Sequence, residues 1–234
     1  MKKILAFTLA ETLIVMGIIG IVSALTLPNL NSSTGEKEKV AKVKKLYQNL
    51  DDAIGRAQAV YGPVDEWKSL DSTLASQSTR FGDRLTEFMK VSKNCGFSTN
   101  QGCFAKKTTY LNGNNAEYSD SMERYKFILA DGTSAQVITG TLGIVIDIDG
   151  PSKGKNKFGV DLFCFVLGDN NTTYYPNGNG GTSTVANNLK PNEKGVLAST
   201  WVINYDNMDY LKLTSEGKCP NGKVLDGTTN TTCK

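Results

Sequence analysis

The order of sequence patterns predicts an α+β fold, with a long amino-terminal helix followed by an antiparallel sheet. Three observations carry this. The first 30 residues hold an apolar segment, residues 40–61 repeat apolar side chains at helical spacing, and beyond Tyr61 short apolar runs are bounded by Gly, Asn and Asp. With 39% hydrophobic and 21% charged residues in 234, the composition is that of a folded chain. Twenty-six Lys and Arg against 23 Asp and Glu leave a net charge of +3, and the basic residues are scattered outside 37–45, a balance that argues neither for nor against a nucleic-acid partner, and none is expected. Histidine is absent, which removes the usual general base of Ser and Cys hydrolases and the commonest transition-metal ligand. Asp/Glu chemistry or a lysine nucleophile stays open, but no signature picks one out.

Met1-Lys2-Lys3 is a short positive cap, and from Ile4 to Leu27 every residue is apolar, small or hydroxylic except Glu11. As a helix at about 1.5 Å per residue, residues 7–27 span roughly 31 Å, close to the hydrocarbon thickness of a bilayer. An ordinary secretory signal would keep its core free of charge, and Glu11 falls inside that core. A plain transmembrane anchor has the right length, but a carboxylate at that depth costs on the order of 2.5–3.5 kcal/mol and needs a partner.

A third reading rests on Ala6-Phe7-Thr8-Leu9-Ala10-Glu11-Thr12-Leu13-Ile14-Val15, followed by Gly20 and Pro28. This resembles the processing site of type IV prepilins and type II secretion pseudopilins: a small residue before the cut, Phe-Thr-Leu-x-Glu after it, then an apolar helix with Gly and Pro at fixed later positions. Ala6 stands where glycine is usual. The resemblance implies a leader of residues 1–6, cleavage after Ala6, N-methylation of Phe7, a pilin-like fold and a bacterial inner-membrane, single-pass location. The globular part would lie outside the cytoplasm, in a periplasmic or surface filament. It also implies three kinds of partner: a prepilin peptidase, an inner-membrane assembly platform and other pilin or pseudopilin subunits. Once freed, the Phe7 amino group is a cation with a pKa of about 7.7–8, able to neutralise Glu11 of a neighbouring subunit and so set the stagger between helices.

Residues 7–28 form the membrane or filament-core segment and 29–61 its amphipathic continuation. Val40, Val43, Tyr47, Leu50, Ile54, Ala57 and Tyr61 recur at steps of three and four, with Leu46, Ala53 and Val60 widening the stripe. Pro28, Gly35 and the Ser33-x-x-Glu36 capping box mark a kink or hinge between the two, and the pilin resemblance implies one long helix through it.

Residues 62–234 read as one globular α+β region. A short helix is expected near 80–92. Strands are expected at Tyr125–Leu129 and Ser134–Thr139, joined by an Asp131-Gly132 turn, then at Leu142–Ile148, Asp161–Leu167 and Thr200–Tyr205. Pro176–Asn192, crowded with Gly and Asn, reads as a long surface loop.

Cys95 with Cys103, and Cys219 with Cys233, look like stapled loops in an oxidising compartment, although spacing alone does not fix connectivity. The second pair also resembles the carboxy-terminal disulfide loop of many pilins. Cys164 reads as a buried free thiol, and zinc is disfavoured because no CxxC spacing exists. Asp147, Asp149, Asn156 and Asp161 supply oxygens spaced so that calcium could bind. Against this, the twelve-residue EF-hand order is missing, Lys153, Lys155 and Lys157 oppose a cation, and Asp and Asn also cap turns. No other cofactor is expected.

The function expected is mechanical: a structural subunit of a type IV pilus-like or type II secretion pseudopilus filament, not an enzyme. The rival is a membrane-tethered binding module or adhesin whose anchor merely displays the domain.

Overall fold

The computed structural model describes residues 9–69, 73–138, 142–167, 174–176 and 182–234. The chain divides into two compact units, Met1–Glu38 and Lys39–Lys234. It is α+β: helices α1 (Leu9–Tyr61), α2 (Val64–Ser69) and α3 (Leu74–Thr86), then strands β1 (Val91–Ser98), β2 (Arg124–Leu129), β3 (Ser134–Ile138), β4 (Gly143–Asp147), β5 (Leu162–Leu167) and β6 (Tyr174–Pro176), and finally α4 (Thr182–Asn188), α5 (Ala198–Tyr205) and a 3₁₀ turn at Asp209–Lys212. All six strands pair antiparallel in sequence order, a meander.

In the first unit the described apolar side chains run from Leu9 to Val22 and are all exposed. Among the described residues no helix is long and apolar enough to cross a membrane. This corrects the expected single-pass inner-membrane location.

The second unit is organised by the three–four spacing of α1. Val40, Val43, Leu46, Leu50, Ala53, Ile54 and Ala57 are buried and share one core with the alternate strand residues Tyr125, Phe127, Ala135, Val137, Ile144, Ile146, Phe163 and Phe165. Tyr47 stacks on Phe165 with ring centroids 6.3 Å apart. The opposite sheet face is buried too: Val145, Leu162 and Cys164 pack with Phe104, Ala105 and Phe158 from the long loops after β1 and β4. Covered on both faces, β4 shows no in–out alternation of burial. Lys126, fully buried on β2, donates from Nζ to the carbonyls of Ser98 (2.6 Å), Asp120 (2.9 Å) and Met122 (2.6 Å), and so ties the 99–122 loop to that face.

Several local expectations are corrected. The helix expected near 80–92 lies at Leu74–Thr86, started by Thr73, whose hydroxyl accepts from the Ser76 N–H at 3.2 Å. Residues 91–98 are instead the edge strand β1, irregular at Val91/Lys93 and Asn94/Gly96. Thr200–Tyr205, expected as a strand, lies in helix α5, of which Ala198, Trp201 and Val202 enter the core and Asp206 caps the end at φ 55°. The expected loop 176–192 contains α4, whose Val185 and Ala186 are buried, as is Leu189 just beyond it.

Candidate functional site

The sequence singles out two regions. Ala6 and Phe7 lie outside the described residues. Glu11 lies on α1 and is exposed among exposed apolar neighbours. The large apolar residues from Leu13 to Val22 are each 52–66% exposed.

The second region is the loop after β4. Asp147 and Asp161 are fully buried. Asp147 Oδ1 accepts from the backbone N–H groups of Asp149 and Gly150, both at 3.1 Å. Asp161 Oδ2 accepts from Lys155 and from Asn156 (3.0 Å), and its Oδ1 from Lys157 (2.6 Å). Each carboxylate therefore folds the loop around itself, as the turn-capping reading required. Asp149 pairs at 3.5 Å with Lys39, whose ammonium also donates to the Val160 carbonyl at 3.2 Å. Burial first, then the Asp161 charge, pushes Asp147 up to about 8, against the opposing effect of its two N–H donors. Among the described residues no three His, Cys, Asp or Glu side chains form a group able to hold a metal by themselves.

Two disulfides close the loops the cysteine spacing outlined, Cys95–Cys103 and Cys219–Cys233. Cys164 is free and buried, and burial pushes its thiol up to about 12. The carboxy-terminal loop is held by the buried Asp209, whose Oδ2 accepts from the Thr232 hydroxyl (2.5 Å) and the Cys233 N–H (2.7 Å), while Oδ1 accepts from Lys212.

Sequence reading missed Lys39 and Ser134, which reach the acidic loop only through tertiary packing and strand register. Ser134 is the Cα partner of Asp147 across β3 and β4, so the two side chains project from the same sheet face. It also missed Gly154, whose φ of +74° and lack of Cβ let the loop close over the carboxylates. A Gly between acidic residues was the available signal.

No family model, curated protein or solved structure matches this chain.

Proposed function

We propose that this chain is a structural subunit of a filament of the type IV pilus or type II secretion pseudopilus kind, its pilin-like layout being a long amino-terminal helix carrying an antiparallel-sheet domain. In this reading a prepilin peptidase cuts between Ala6 and Phe7, an assembly platform receives the processed chain, and residues from Phe7 onward pack against the same segment of other copies. The supporting observation is the exposure of the apolar side chains of α1 from Leu13 to Val22. Fully burying one such side chain contributes about 1.5–3 kcal/mol, so half of that over eight residues is on the order of 10 kcal/mol per subunit, ample to drive association. Glu11 then becomes the ordering element. Inside a helix bundle its charge needs a cation, and the freed amino group of a neighbouring Phe7 supplies one only at a fixed stagger.

Mass spectrometry of native material tests the processing: the expected amino terminus is N-methylated Phe7, and a chain retaining Met1 refutes the reading. Electron microscopy of filaments tests the assembly. Glu11→Ala is expected to abolish filaments or deplete the subunit from them, and undiminished incorporation refutes the ordering role.

A further inference from the structure

The loop 147–161 carries more positive than negative charge at neutral pH. Asp147, pushed up to about 8, holds its proton there, and Asp149 is paired with Lys39 at 3.5 Å. The buried Asp161 is then the remaining acid beside Lys153, Lys155 and Lys157. It accepts from the backbone N–H groups of Lys155 and Lys157, which leaves their ammonium groups free of it. Among the described residues neither ammonium lies within 4 Å of a carboxylate.

These two lysines border a cavity of about 290 Å³ whose walls are otherwise largely apolar, with Leu111, Val160, Leu213 and the ring of Tyr210 lining it. Leu111 and Tyr210 are buried and form its inner end, whereas Leu211, 41% exposed, and the exposed Lys155 form its rim. The walls are tied to one another. The Tyr210 hydroxyl donates to the Gly159 carbonyl at 2.7 Å, so the polar end of that ring is already occupied. The Leu111 N–H donates to the Lys194 carbonyl at 2.9 Å, and Asp161 gathers the N–H groups of residues 155–157. The cavity is therefore preformed, and its volume holds about ten water-sized groups at about 30 Å³ each.

From this juxtaposition we infer that the cavity binds a small amphiphile with an anionic head, an aliphatic carboxylate of about ten non-hydrogen atoms. The alkyl chain lies against Leu111, Val160, Leu213 and the Tyr210 ring, and the carboxylate meets the ammonium groups of Lys155 and Lys157. An inorganic anion would leave the apolar walls unused. A neutral alcohol of the same length would leave both cations without a partner. A carboxylate on an alkyl chain satisfies the two together.

The test titrates octanoate into the full chain labelled with ¹⁵N, with octanol and inorganic phosphate as comparisons. Saturable shifts are expected at the amides of Leu111, Lys157, Leu211 and Leu213, with a Kd on the order of 10⁻⁴–10⁻³ M for a ligand of this size. Octanol and phosphate should each bind about tenfold more weakly. Replacing both lysines, Lys155→Met with Lys157→Met, keeps the apolar stems and should weaken octanoate about tenfold while leaving octanol unchanged. Leu211→Asp, at an exposed position the fold tolerates, sets a like charge at the rim and should weaken octanoate as well. Shifts confined to the exposed apolar residues 9–22 overturn the cavity assignment. Octanol binding as tightly as octanoate overturns recognition by the lysines, and phosphate binding as tightly overturns the role of the apolar walls. An octanoate affinity unchanged in the double lysine variant refutes the site.

Discussion

Replacing Gly82 by Ala sets two well-understood effects against each other. Gly82 lies inside α3, where Ala is favoured over Gly by about 1 kcal/mol, so helix propensity alone makes the substitution stabilising. Packing opposes it. A Cβ at Gly82 would stand 2.3 Å from Tyr125 Cδ1 and 2.5 Å from Cε1 and Cγ, far inside van der Waals contact. The ring is fully buried and its hydroxyl is held at both sides, donating to Asp83 Oδ1 at 2.7 Å and accepting from Asn94 Nδ2 at 2.7 Å. It therefore cannot retreat without losing hydrogen bonds worth about 0.5–1.5 kcal/mol each. Overpacking adds about 1–3 kcal/mol. Even at the low end of both ranges packing exceeds propensity, and the expected net loss is about 3 kcal/mol. Urea unfolding followed by the fluorescence of the buried Trp67 and Trp201 measures it. In a Tyr125→Ala background the same substitution should become neutral or mildly stabilising. A Gly82→Ala chain unfolding at the wild-type urea concentration or above refutes the account of how α3 seats on the sheet.

Two further outcomes follow from buried ionisable groups. Burial alone would raise Asp209, but the Lys212 ammonium, the Thr232 hydroxyl and the Cys233 N–H outweigh it and hold the carboxyl below its ordinary range. A depressed folded-state pKa contributes stability above the unfolded value of about 3.9, and that contribution is lost as pH falls through the folded value. Asp209→Asn should thus be less stable at pH 7 and lose less on acidification, and identical acid profiles by urea unfolding would contradict this. The thiol of Cys164, buried and pushed up to about 12, should resist iodoacetamide at pH 8 in the folded chain and react at the rate of a free thiol in urea; ready labelling of folded protein would contradict the burial.

What the sequence made legible follows from where the relevant physics is local. Strands β2 to β5 lie within a residue or two of their expected bounds, because each is an apolar run closed by a turn whose chemistry is written beside it; Gly132, at φ 85°, completes the turn after Asp131. The carboxy-terminal half of α1 is equally clear, since its apolar spacing is the interface itself. Thr200–Tyr205 was misread because Thr, Trp, Val, Ile and Tyr favour a strand, whereas the core reached by Trp201 and Val202 selects a helix. No residue near position 200 announces that core. β1 was invisible for the converse reason: its irregularities break the alternation that marks a strand, and its pairing with Arg124–Leu129 is a property of the partner.

The same division explains the two candidate sites. The acidic loop was legible as a cluster because its four oxygen-bearing side chains fall within one short loop, but its charge state is set elsewhere. Burial against the sheet first, then the charge of Asp161, makes Asp147 hold its proton up to about 8, and Lys39 arrives from α1 to pair with Asp149. An acid that expensive to ionise is stable in the fold only as the neutral form or beside a cation. The amino-terminal motif differs in kind. Its residues form a linear pattern, and the large apolar side chains that follow are exposed from Leu13 to Val22. Within one chain that segment is an unfavourable surface. Under the filament reading it becomes the most favourable one, so its cost in the isolated subunit and the driving force for assembly are one quantity.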